Sequence, residues 1–166
     1  MIPDTDTMAI VPTTYQEWLS CFEKIKDAPF SDDMDYVRLS HGSFTGTDVM
    51  IYAFQQQLIN LINTVLNKST RRFVRNLNEC LMFHELEQLD FLFKRLKKDI
   101  HRVLFFRDLT FLSDEFISEL YQSVKEQMTG FWNNSVGFLQ KETMDHNDPA
   151  LEDALYLIGR ITLFSE

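Results

Sequence analysis

Apolar residues recur along the chain at three- and four-residue spacing, the period of helices buried on one face. The first set is Tyr15, Trp18, Leu19, Phe22 and Ile25. Thr14 and Glu17 ahead of it form a capping box, in which hydroxyl and carboxylate each satisfy a free backbone N–H. Pro29 ends this helix. Residues 29–46 read as an irregular connector with a helical turn or two after Ser31, and Gly42 and Gly46 lead into a second helix capped at Thr47. That helix reaches Asn67 and turns Ile51, Phe54, Leu58, Leu61, Ile62 and Val65 to the core.

After Ser69 a third helix is expected from Thr70 to Arg107. It has 38 residues without Gly or Pro and is roughly 57 Å long if straight. Its apolar stripe changes phase. Val74, Leu77, Leu81 and His84 mark the first half, and His84 reads as a core histidine. Leu86, Leu89, Phe93, Leu96, Ile100 and Val103 then form a heptad seam, turned by about 110° from the first stripe. Such a helix either shows different faces to different neighbours or bends at His84–Gln88. A fourth helix spans Ser113 to Lys141, with Phe116, Ile117, Leu120, Val124, Met128, Phe131 and Leu139 inward. The fifth opens with Asp148 as N-cap and Pro149 at the first helical position, followed by Leu151, Leu155, Ile158 and Leu163. No strand alternation of useful length and no repeat appears. The expected fold is all-α, a single domain over 1–166. It reads as an elongated bundle of about five helices with one long, bendable central helix and a flexible arm at 1–12.

Composition agrees: 15 Phe against 5 Gly and 4 Pro suit a thick helical core better than a turn-rich sheet. Charge is segregated within a net of −9. Residues 68–107 carry 10 bases and 5 acids, whereas 108–166 carry 11 acids and 3 bases. Val49–Asn67 carries no charge, and Gln56, Asn60, Asn63 and Asn67 line up opposite its core face. Solvated helix faces usually hold Lys or Glu. An uncharged amide face suits a surface that something covers, because desolvating a full charge costs far more. A second copy, a partner or flanking helices of the same chain all fit that description.

Chemical motifs are scarce. A di-iron site in a bundle needs Glu-x-x-His pairs, and none of His41, His84, His101 or His146 has a Glu three residues before it. Asp32, Asp33 and Asp35 lack the glycine and distal Glu of a calcium loop. His146 with Asp145 and Glu142 reads as a solvated connector. Ser43, His41 and Asp48 are triad residue types without triad evidence. No metal or cofactor is expected. Cys21 and Cys80 sit on apolar stripes and read as buried reduced thiols. With no secretory signal and no spanning segment, a cytoplasmic protein without membrane contact is the expectation.

These features point to a non-catalytic intracellular protein-interaction or regulatory module acting through helical surfaces. The candidate interface residues are Gln56, Asn60 and Asn63 on the amide face and Leu89, Phe93, Leu96 and Ile100 on the seam. A homo-oligomer would bury about 1,600 Å² or more through them. The alternative is a small-molecule-binding helical domain with a Phe-rich apolar pocket at Phe131, Trp132 and Phe138, where Gly130 and Gly137 let a ligand near the backbone. An enzyme would have to gather its groups from separate helices, since no local motif is present. Nucleic acid is not an expected partner, because an acidic chain repels phosphate.

Overall fold

The computed structural model describes residues 11–31 and 36–164. The first ten residues of the expected arm and the acidic run Asp32, Asp33 and Asp35 lie outside the described residues. What is described is helical throughout: α1 Tyr15–Asp27, α2 Tyr36–Leu39, α3 Asp48–Met82, α4 Leu89–Arg102, α5 Asp114–His146 and α6 Pro149–Gly159. Short 3₁₀ segments Leu86–Gln88 and Val103–Asp108 flank α4. No strand occurs among the described residues, and no helix there is long and apolar enough to cross a membrane. The chain packs as two compact units, Met1–Lys68 with His101–Tyr121, and Ser69–Ile100 with Gln122–Glu166.

The first unit is built around aromatic rings. α1 begins with the expected capping box, Glu17 N–H donating to Thr14 Oγ1 at 3.2 Å and Thr14 N–H to Glu17 Oε1 at 3.1 Å. Helical spacing then buries Trp18, Cys21, Phe22 and Ile25. Trp18 meets Phe22, Phe54 and Phe111 at centroid distances of 5.8, 5.1 and 5.9 Å. Such tilted and edge-on pairs suit the ring quadrupoles. The indole N–H of Trp18 donates to the Ser43 carbonyl at 2.8 Å, so the buried polar atom is satisfied. Pro12 and Thr13 are tied to the connector: their carbonyls accept from Ser43 and Thr45 N–H at 3.1 and 2.9 Å.

The second unit has its own aromatic centre, Phe73 and Phe93 at 4.9 Å, Phe73 and Phe131 at 5.6 Å, and Phe93 and Trp132 at 4.9 Å. Arg72 of α3 pairs with Asp99 of α4, a carboxylate almost wholly removed from water. Asp148 caps α6 by accepting from Ala150 N–H at 3.0 Å, with Pro149 at the first position as expected.

Three helix boundaries differ from the sequence reading. α3 passes straight through Ser69, where a cap and a new start were expected. The Ser69 hydroxyl is buried inside the helix with no hydrogen-bond partner. Cap-forming residues mark a start only where the backbone needs one, and nothing in Asn67–Thr70 interrupts the ladder. α5 likewise runs past Lys141 to His146.

The expected helix Thr70–Arg107 is divided. α3 stops at Met82, and His84 takes a left-handed backbone with φ of 54°. Glu85 N–H then donates to the Cys80 carbonyl at 2.8 Å and His84 N–H to that of Leu81 at 3.4 Å. This is a Schellman stop, with histidine in the place glycine usually holds. The change of stripe phase marks this stop. His84 is accordingly no core residue: its side chain is 66 % exposed. Val74 also faces out, at 41 %, and Phe73, Leu77 and Cys80 form the inner stripe instead.

Candidate functional site

Three surfaces bear on function. The first lies on α3 within the first unit. Phe54, Leu58, Leu61, Ile62 and Val65 are buried there, which turns the opposite face to water. That face carries Val49 and Tyr52, 79 % and 63 % exposed, and then the exposed amides Gln56, Asn60 and Asn63. The Thr64 hydroxyl donates to Asn60 Oδ1 at 3.2 Å, orienting that amide across one turn. Of the sequence-derived interface candidates, these three amides are the exposed ones. Leu89, Phe93, Leu96 and Ile100 are buried by the chain itself and serve its own packing.

The second surface belongs to the second unit. Thr70, Arg71, Val74, Arg75 and Asn78 of α3 and Phe131 of α5 line an open depression of about 480 Å³. Arg95 lies near Arg72 and Arg75. Burial pushes the Arg95 guanidinium below its usual range; repulsion from Arg72 and Arg75 acts in the same direction, and Asp99 opposes it. The spacing of Arg71 and Arg75 was visible in the sequence. Their sharing a hollow with Phe131 was not, because two helices must come together to form it.

The third is a smaller depression of about 290 Å³ in the same unit, lined by His84, Leu86, Glu87, Asp90, Ala150, Asp153, Ala154 and Leu157. His84 Nε2 lies 2.8 Å from Asp148 Oδ2, tying the end of α3 to the start of α6. That contact, more than any other, holds the Asp148 carboxyl below the usual carboxylate range. Asp90 is engaged by Lys94 at 3.2 Å.

Phe131, Trp132 and Phe138, expected to share a pocket, are differently placed. Phe131 borders the arginine depression, Trp132 is buried against Phe93, and Phe138 is 43 % exposed. Gly130 and Gly137 have nothing within 4 Å of where a side chain would begin, so they face open space and not the wall of a pocket. The triad types do not meet either: no hydrogen bond joins His41, Ser43 and Asp48 side chains among the described residues. His146 lies on α5 and pairs with Glu142 at 3.2 Å. No group of three or more His, Cys, Asp or Glu among the described residues could hold a metal ion. Burial pushes both thiols up, Cys21 chiefly by desolvation and Cys80 by desolvation with Glu85, Glu79 and Glu87 adding to it. Thiolates are the reactive form, so both are poor nucleophiles.

Compared with protein-family models, curated proteins and solved structures, the chain matches none of them.

Proposed function

We propose that the protein is a non-catalytic protein-interaction module of the cell interior, docking a partner on the uncharged face of α3. The observation that carries this reading is the face itself. From Val49 to Asn67 no residue is charged, in a chain where 25 % are, yet Val49, Tyr52, Gln56, Asn60 and Asn63 all stand in water. Amides and a phenol can be desolvated and re-paired at a fraction of the cost of an ammonium or carboxylate. Tyr52 adds the large amphipathic side chain that interfaces favour. Two buried reduced thiols suit a reducing compartment.

The test is a photo-crosslinking residue placed at Gln56, with Gln140, exposed on α5, as the control position. Crosslinking at Gln56 well above that at Gln140 is expected, giving a dimer in purified protein or a discrete adduct in cell extract. Asn60→Glu with Asn63→Glu should suppress it while helicity is unchanged. Equal yields from the two positions would overturn the proposal.

A further inference from the structure

The arginine depression calls for a ligand of its own. Arg71 and Arg75 are one helical turn apart and exposed, and no acidic group is within ion-pair reach of either among the described residues. Of the neighbouring carboxylates, Asp99 already pairs with Arg72, and Glu79, one turn on from Arg75, makes no ion pair with it. In a chain of net charge −9 this is a local surplus of positive charge. Beside the guanidiniums lies apolar surface: Val74, and the ring of Phe131, backed edge-on by Phe73. Asn78 completes the hollow with an amide that both donates and accepts.

We infer that this depression docks an acidic peptide segment of a partner protein. Arginines one helical turn apart, their Cβ atoms about 6 Å from each other, present two planar forks, each matched to a carboxylate. Val74 and Phe131 then take an apolar side chain lying between those carboxylates, and Asn78 pairs with the peptide backbone. A free inorganic anion would use only the arginines and leave the apolar floor wet. A nucleic acid strand offers no aliphatic side chain for that floor. This surface lies in the other unit from the uncharged face of α3, so either can fail while the other stands.

The experiment uses full-length isotope-labelled protein titrated with the blocked peptide Glu-Glu-Leu-Glu-Glu. Saturable shifts are expected at Arg71, Val74, Arg75, Asn78 and Phe131, weakening as salt is added. Arg71→Glu with Arg75→Glu should reduce affinity by about ten-fold or more. Arg71→Gln with Arg75→Gln gives the same readout should charge reversal disturb α3. Replacing the peptide's Leu by Ser should weaken binding and release the shift at Phe131. The inference is overturned if millimolar peptide shifts nothing in the depression. It is equally overturned if a single-stranded oligonucleotide or inorganic phosphate produces the same shifts at lower concentration.

Discussion

Gly42 and Gly130 show how differently two glycines can be used. A Cβ at Gly42 would lie 2.3 Å from Cζ2 and 2.7 Å from Cη2 of Trp18. The indole cannot swing aside without losing its bond to the Ser43 carbonyl and its place among the surrounding rings. Gly42→Ala should therefore destabilise the fold by about 1–3 kcal/mol, the usual cost of overpacking. Gly130 and Gly137 face open space with ordinary helical backbone. Replacing each by Ala should stabilise by up to about 1 kcal/mol through helix propensity alone. Urea titrations followed by circular dichroism decide both, and a neutral Gly42→Ala would refute the packing argument. In the sequence Gly42 reads as punctuation ahead of α3, and Gly130 and Gly137 as places where a ligand could near the backbone. What separates them is a tertiary neighbour, and no local pattern records one.

At the level of the helix, starts were easier to read than stops. The capping box of α1 and the Asp148–Pro149 start of α6 are local chemistry, complete within four residues. The end of α3 lacks the glycine that normally announces a left-handed stop, so only the rotation of the apolar stripe betrayed it. His84 is among the residue types that tolerate positive φ; a β-branched one is not. His84→Val should cost roughly 1–2 kcal/mol from backbone strain, whereas His84→Asn should cost less. Since the ring is mostly solvated, lost packing contributes little to either, and both variants give up the imidazole's contact with Asp148. Thermal melts of the two variants check the order, and His84→Val melting level with His84→Asn would mean that the turn is not strained. The uncharged face of α3 was legible because burial of one stripe dictates what the opposite stripe meets. The arginine depression was legible only in half, its Phe131 wall arriving from a helix 50 or more positions away in sequence.

For the whole molecule, acid is the revealing stress. Glu17 is held below the usual carboxylate range mainly by the Thr13 backbone N–H, with the Thr13 hydroxyl and Thr14 adding to it, and Asp148 by His84. A group with a depressed folded value stabilises the fold fully above its unfolded value and loses that contribution as pH falls through the folded one. Stability should thus stay level in this respect from about pH 7 to 5 and decline below about pH 4. Glu17→Gln should flatten part of the decline. A melting series over pH tests this, and an acid limb identical in Glu17→Gln would remove the cap of α1 as its cause. Each compact unit is made of two separate stretches of chain, and α3 and α5 each donate residues to both units. No single cut can release either unit whole. A gene fragment that ends within α3 or α5 would encode one unit with a strand of its sequence missing and the other without its remainder. Genetic dissection must therefore proceed by point substitution, and duplication or exchange of this chain between proteins is expected to move all of it together.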